Sequence, residues 1–200
     1  MGGPTTVSVQ SASLSSKPRV LIKQNVGARK LSIENVSVTA GAIMTAVVKM
    51  TAAGDENALS FSLSFDPTKV TFKGATLAAA MSTASLVLNS NQAAPGKLGF
   101  VVSVPAGQTT AAGTFDLLNL SFQAGANPGS ATLVFANSPA PKSLSDPLGN
   151  DLVQTYSDGT ITIQALSTVL PPTIVTQPLS QQVGAGASLI LSVVPRAPLP

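Results

Sequence analysis

The chain contains no cysteine, no histidine and no tryptophan. Without cysteine and histidine it cannot form disulfides, thiolate nucleophiles, Cys/His zinc sites or haem ligation. The same absence excludes every catalytic arrangement that needs an imidazole, including the Ser-His-Asp triad. The protein therefore lacks the side chains that many known enzyme mechanisms and metal sites require.

Charged and aromatic side chains are also scarce. Charged residues make up 10% of the chain and aromatic residues 4%, whereas an ordinary soluble domain has about 25% charged residues. Small polar residues take their place, a composition common in secreted bacterial β-proteins. No segment reaches the roughly 18 continuous apolar residues that a membrane span needs. The first residues, MGGPTTVSVQ, contain no apolar run typical of a signal peptide.

The net charge of +3 comes from one end of the chain. Residues 1–30 hold five basic residues and no acidic one, whereas residues 31–166 hold five basic and eight acidic residues. Nucleic-acid binding needs a basic surface, usually with aromatic rings for single strands. Because the basic segment has no aromatic residue, we predict no nucleic-acid partner.

The composition divides the chain into four zones. Residues 1–30 are Ser-rich and basic and form either a linker or the end of a preceding domain, expected to be flexible. Residues 31–165 are the main body, residues 166–173 form a Pro-containing linker, and residues 174–200 begin a second β-pattern.

Apolar and polar residues alternate with period two through the main body, and the helical period of 3.6 is almost absent. In ALSFSLSFDPTKVTF, residues 58–72, four apolar residues alternate with three serines before an Asp-Pro turn. About nine such strands, separated by Gly, Pro, Asn and Asp, predict an all-β sandwich.

The strand motifs of residues 31–164 resemble those of a cohesin domain, the receptor module of cellulosomes. Five segments match in the family order: VSVTAG, ALSFSLSFDPTKVTF, GKLGFVVSV, GTFDLLNLSFQA and NDLVQTYSDGTITI. The resemblance implies a nine-stranded jelly-roll β-sandwich, a fold shared with some cellulose-binding modules. It also implies a non-catalytic, extracellular or cell-surface module, linked to polysaccharide degradation, that binds a dockerin-like protein module.

The segment PPTIVTQPLSQQVGAGASLILSV resembles the first two strands of a bacterial immunoglobulin-like repeat. Two strands cannot bury a hydrophobic face by themselves. We therefore expect an incomplete, loosely attached C-terminal β-tail, and a chain that is a fragment of a longer multidomain protein.

Catalysis by carboxylates is not indicated. A glycosidase needs two carboxylates that face each other across a cleft, one of them with a raised pKa. Seven of the eight carboxylates fall at turns or strand ends, where aspartate is ordinary turn chemistry. We predict that the protein is not an enzyme.

One loop and its sequel, SDPLGNDLVQTYSDG, hold oxygen-bearing side chains at close spacing: Asp146, Asn150, Asp151 and Asp158. Such oxygens are the ligands that calcium prefers. The spacing is not that of an EF-hand, and two successive turns explain the same residues. A calcium site and a pair of turns both remain open, and no other cofactor is indicated.

Binding of polysaccharide is an alternative function. Exposed aromatic rings stack on sugars, but the seven phenylalanines fall on strands and most are expected in the core. Tyr156 is the single ring expected at the surface, so this alternative is the weaker one.

The resemblance places Ser60, Ser62 and Ser64 on the sheet face that receives a dockerin. Serine offers hydrogen bonds but none of the large side chains that dominate protein interfaces. The sequence therefore leaves two interpretations of this serine face, a partner-binding surface or the wet surface of a structural spacer.

Overall fold

The computed structural model describes residues 29–166 and 173–196. These residues form fourteen β-strands and one short 3₁₀ helix, Ala79–Met81. The strands are β1 (Lys30–Ile33), β2 (Val36–Thr39), β3 (Ile43–Ala52), β4 (Ala58–Ser64), β5 (Val70–Leu77), β6 (Ser85–Asn89), β7 (Lys97–Ser103), β8 (Gly113–Ala124), β9 (Gly129–Ala136), β10 (Ser143–Ser145), β11 (Thr155–Ser157), β12 (Gly159–Gln164), β13 (Thr173–Thr176) and β14 (Val194–Arg196). No helix in the described residues is long and apolar enough to cross a membrane.

Strands β1–β12 form two sheets around one hydrophobic core. The smaller sheet has the order β11-β1-β3-β8-β5. The larger sheet has the order β2-β12-β9-β4-β7-β6, and β10 pairs with β4 beside β9. The predicted all-β sandwich is confirmed.

The period-two pattern decides which side chains enter the core. On β4, Leu59, Phe61 and Leu63 point inward and are buried, because successive side chains of a strand alternate between its two faces. The Phe61 ring stacks on Phe100 of β7 at 5.1 Å and meets Phe135 of β9 edge-on at 5.4 Å. Burying each of these rings contributes up to about 3 kcal/mol. The aromatic cluster thus joins three neighbouring strands of the larger sheet.

The main body has twelve strands where the sequence predicted about nine, because one predicted strand is divided and two short ones are added. The segment KLSIENVSV breaks at Glu34 and Asn35, so that β1 joins the smaller sheet and β2 the larger one. The side chain of Asn35 accepts a hydrogen bond from the N–H of Thr160 at 2.8 Å. This contact secures the point at which the chain crosses between the sheets. Strands β10 and β11 have three residues each, too few for the alternation to reveal.

Arg29 and Lys30 belong to the sandwich, although the sequence placed them in the N-terminal segment. Lys30 begins β1, and the Arg29 side chain is buried. The Arg29 guanidinium donates to Asp55 at 2.6 and 2.7 Å and to Glu56 at 2.9 Å. The first described residue is therefore tied to the loop between β3 and β4.

Glu56 is fully buried at the centre of this contact, which we call the Arg29–Glu56 clasp. Besides Arg29, its carboxylate accepts hydrogen bonds from the N–H groups of Ala53 and Gly54 at 2.7 and 2.9 Å and from the Thr110 hydroxyl at 2.9 Å. A buried carboxylate is tolerated only when it is paired and hydrogen-bonded in this way. The clasp thus joins the start of β1 to two loops that are distant in sequence.

In the C-terminal region, β13 and β14 pair in antiparallel orientation as a separate two-stranded sheet. Apolar side chains between and within these strands are exposed, among them Ile174, Leu179 and Ile190. The immunoglobulin-like resemblance of this region stays a prediction. The N-terminal segment up to residue 28, expected to be flexible, and residues 167–172 of the expected linker lie outside the described residues.

The clasp makes the stability of the fold depend on pH. Burial raises the pKa of Glu56, but the hydrogen bonds from Ala53, Thr110 and Gly54 outweigh burial and hold this pKa below its ordinary value. A depressed folded-state pKa contributes stability that is present above the unfolded-state pKa, about 4.3, and is lost as the pH falls further. We expect Glu56→Gln to lower the free energy of unfolding at pH 7 by on the order of 1–3 kcal/mol.

Urea unfolding at pH 7 and pH 3.5 tests this expectation. The unmodified chain should lose stability on acidification, and Glu56→Gln should lose less. Asp151→Asn, which removes an exposed carboxylate, is the control for the loss of one negative charge. Equal losses for the unmodified chain and Glu56→Gln would show that the clasp carries no pH dependence.

Candidate partner-binding face

The outward side chains of β9, β4, β7 and β6, with β10, form one continuous surface that we call the outer face. The strand register arranges them in four rows. The rows are Ser145–Ala58–Ser103–Ser85, Ser143–Ser60–Val101–Val87, Ala136–Ser62–Gly99–Asn89 and Val134–Ser64–Lys97. All three serines predicted to bind a partner lie on this face, on neighbouring rows.

The chain itself covers part of the serine face. Ser62 is fully buried, and its Oγ donates to the carbonyl of Ala140 at 2.6 Å and accepts from the N–H of Ala140 at 2.7 Å. The Ser60 Oγ donates to the carbonyl of Pro141 at 2.7 Å. Ser64 is half-buried. We call the covering segment, residues 138–141, the strap.

The strap corrects the prediction of an open serine face. Ser62 has no exposed surface with which a partner or solvent could make contact. The covering contact comes from a residue 78 positions later in the chain, and local alternation carries no information about such a contact. Ser60, half-buried, uses its hydroxyl to hold the strap.

Gly99 of β7 provides the space in which the strap lies. A Cβ atom on Gly99 would stand 2.9 Å from Cγ of Pro139 and 3.3 Å from Cβ of Ala140. The strap therefore crosses above β7 as well as β4. An isolated glycine inside a strand is often explained by such a close approach.

Apolar side chains remain exposed in the row next to the strap. Val87 is 64% exposed and Val101 is 41% exposed, and the two are directly paired across β6 and β7. Val134, on β9 at the other side of the strap, is 37% exposed. Exposed apolar side chains that adjoin one another are a feature of interaction surfaces.

The strands of the outer face carry one charged residue, Lys97. A group of three charges lies elsewhere: on the smaller sheet, Nζ of Lys49 lies 2.7 Å from Asp116 and 3.2 Å from Glu34. The hydrogen bond that Lys49 donates to Asp116, followed by the one that it donates to Glu34, raises the pKa of Lys49. Asp158 borders the outer face, where it accepts a hydrogen bond from the N–H of Phe135 at 2.9 Å.

Three of the four predicted calcium ligands, Asp146, Asn150 and Asp158, make side-chain contacts inside the protein. The Asp146 carboxylate accepts from the N–H of Leu148 at 2.9 Å, and from the N–H and side-chain amide of Asn150 at 2.9 and 2.8 Å. The side-chain bond from Asn150 is the largest cause of the lowered pKa of Asp146. Asp151 pairs by its backbone with Ser145. In residues 29–166 and 173–196, no group of three or more acidic side chains is placed to hold a metal ion.

Tyr156 is not the exposed ring that the sequence predicted. Its ring is half-buried against Phe135 at 5.1 Å, and Nζ of Lys142 lies 4.7 Å from the ring centroid. Its hydroxyl accepts a hydrogen bond from the amide of Gln154 at 2.6 Å, and burial raises the pKa of Tyr156. Sugar stacking on this ring therefore has little surface available.

A cleft of about 340 Å³ lies at one end of the sandwich, beside the 3₁₀ helix. Threonine hydroxyls and small apolar groups line it, and Phe115 and Met81 contribute part of the lining. None of the lining residues has a carboxylate, an imidazole or a thiol. This cleft has none of the acid–base groups that a hydrolytic site needs.

Comparison with known protein families identifies the domain family to which this sandwich belongs. The model of the cohesin domain family matches residues 29–163, more than half of the chain. The chain belongs to the cohesin family. The match begins at Arg29, so the cohesin domain includes the clasp residue. Cohesin domains are non-catalytic protein-binding modules, and this cohesin is not an enzyme.

Solved cohesin structures share its fold. The cohesin CaCohA2, seen in complex with an arginine-to-aspartate variant of CaDoc0917, is 22% identical with a TM-score of 0.60, and the match covers 68% of this chain and 100% of CaCohA2. CaCohA2 comes from Clostridium acetobutylicum. A non-cellulosomal cohesin from the archaeon Archaeoglobus fulgidus is 12% identical with a TM-score of 0.58, covering 70% and 92%. The sixth cohesin of scaffoldin B from Acetivibrio cellulolyticus is 16% identical with a TM-score of 0.58, covering 68% and 99%. These likenesses establish the jelly-roll sandwich, and no curated protein matches the chain.

Two glycines of this cohesin test the contact between strap and sheet. We expect Gly99→Ala to lower the free energy of unfolding by about 1–3 kcal/mol, because the new methyl group overlaps Pro139 and forces the strap to move. Gly74→Ala is the matched control, since a Cβ there meets no atom within 4 Å. Urea unfolding of both variants gives the comparison. If Gly99→Ala is as stable as Gly74→Ala, the strap does not lie against β7.

Proposed function

We propose that residues 29–166 act as a dockerin receptor and that the dockerin-like partner binds on the outer face. The relatives support the partner class: CaCohA2 is seen in complex with an arginine-to-aspartate variant of CaDoc0917, and the scaffoldin B cohesin with a double mutant of the Cel5 dockerin. In this chain the support comes from the paired, exposed Val87 and Val101 on a face whose other outward side chains are mostly small. A preformed sheet loses little conformational entropy when it binds.

The proposed setting is outside the cell or at its surface, in a modular protein linked to polysaccharide degradation. Family membership supports this setting, as does the sequence composition with its low charge and its many small polar residues. Polysaccharide is the weaker candidate ligand because the one tyrosine is packed against Phe135.

A structural spacer is the second candidate function, and the strap favours it. Ser62 and Ser60 are engaged with the chain's own backbone, so that part of the serine face needs no external partner. A spacer and a receptor differ in whether the exposed part of the outer face, around Val87 and Val101, binds another protein.

A capture experiment with the full chain separates these functions. The immobilised chain is exposed to the secreted proteins of its source organism and, in parallel, to insoluble cellulose. We expect capture of a dockerin-bearing protein, which after purification should form a 1:1 complex in isothermal titration calorimetry.

Two results would contradict the receptor function. Retention of the chain by cellulose, without capture of a dockerin-bearing protein, would favour the carbohydrate-binding alternative. If neither cellulose nor any dockerin-bearing protein is bound, the spacer is the function that remains.

A further inference from the structure

The strap determines which part of the outer face a partner meets. We propose that the docking surface is the Val87–Val101 pair together with the adjoining strap, and that Ser60 and Ser62 position the strap instead of contacting the partner. We assign the occupant as an uncharged, apolar partner surface that presents aliphatic or aromatic side chains without a basic cluster. This proposal rests on the proposed receptor function and specifies its footprint.

The strap stands above the level of the sheet and forms a step beside the Val87–Val101 pair. The strap lies on the third row, above Ser62 and Gly99, whereas Val101 and Val87 are on the second row at the level of the sheet. Within the strap, Ser138 and Pro141 are exposed. An apolar side chain laid on the valine pair would therefore have the strap beside it, as in the well-packed centre of an interface.

Charge complementarity selects the kind of partner. The outer-face strands offer Lys97 and no carboxylate. One charge of each sign lies at the border: Asp158, which accepts from the N–H of Phe135, and Lys142, whose Nζ lies over the ring of Tyr156. Basic side chains of a partner would find no counter-charge on these strands. Affinity must then come mainly from apolar contact, and it should depend little on salt concentration.

The serines act on the strap through its backbone. The Ser62 hydroxyl donates to the carbonyl of Ala140 and accepts from its N–H. Both backbone groups of Ala140 are thereby hydrogen-bonded, as they would be if Ala140 were paired with a neighbouring strand. Ser60 adds a third bond at Pro141. Because these bonds hold the backbone, the strap keeps one position in the free protein, before any partner arrives. Ser62 has no surface for a partner, so positioning is the contribution left to it.

The positioning role is tested in the full chain without a partner. Amide hydrogen exchange should be at least about tenfold faster at Ala140 in Ser62→Ala, because its N–H loses its acceptor. Ser60→Ala, at a half-buried position, is a milder second variant with a smaller increase expected. Ser130→Ala, exposed on β9, is the matched control and should leave exchange at Ala140 unchanged. Unchanged exchange at Ala140 in both Ser62→Ala and Ser60→Ala would overturn the positioning role.

The footprint is tested by calorimetry with purified dockerins. The probes are CaDoc0917, the Cel5 dockerin and the dockerin captured with the chain. Val87→Asp and Val101→Asp should each weaken binding at least about tenfold, since a carboxylate would be desolvated against apolar groups. Thr45→Asp, an equal charge at an exposed position of β3 in the smaller sheet, should change affinity less than about twofold. Raising sodium chloride from about 0.05 to 0.5 M should change affinity less than about threefold.

The outcomes separate this proposal from the proposed function. If a dockerin binds but tolerates both valine substitutions, or if its affinity falls steeply with salt, the footprint is wrong and the receptor function stands. If no dockerin binds, the receptor function and the footprint both fail, while exchange at Ala140 still decides the role of the serines. A dimer in light scattering that Val87→Asp dissociates would identify a second copy as the occupant and overturn the assigned partner.

Discussion

Strand β4 has no free edge and is covered on its inner face and on part of its outer face, and the rest of the cohesin domain is built around that constraint. Its edges pair with β7 on one side and with β9 and β10 on the other. Its inner face carries Phe61 in the aromatic cluster, and part of its outer face lies under the strap. A strand with no free edge, one buried face and one partly covered face has one stable register. That register places Gly99 under the strap and Val101 beside it.

The alternation of apolar and polar residues was enough to predict the inner half of this arrangement. Leu59, Phe61 and Leu63 enter the core because a strand has a period of two, and the family's strand order then followed from the quoted motifs. The contacts on the outer side of β4 could not be predicted in the same way. The partner of Ser62 is 78 residues away, and a serine exposed to water and a serine bonded to a distant backbone look the same in sequence.

The other differences between the predictions from the sequence and the structure have the same origin. Arg29 looked like part of a basic linker because its acidic partners, Asp55 and Glu56, are more than twenty residues distant. Tyr156 looked exposed because its strand, β11, has three residues, and the ring that covers it comes from β9. Long-range pairing decides these positions, and local pattern decides only which residues a core can accept.

The covered and uncovered parts of the outer face bear differently on the two candidate functions. A spacer requires that polar groups be satisfied, and the bonds from Ser60 and Ser62 to the strap meet that requirement. It does not require two valines paired across β6 and β7 with 64% and 41% of their surface exposed, because the exposed part of an apolar side chain contributes no burial. Polar residues at those two positions would serve a spacer equally well. The valine pair beside a fixed strap is therefore the feature that a receptor explains and a spacer does not.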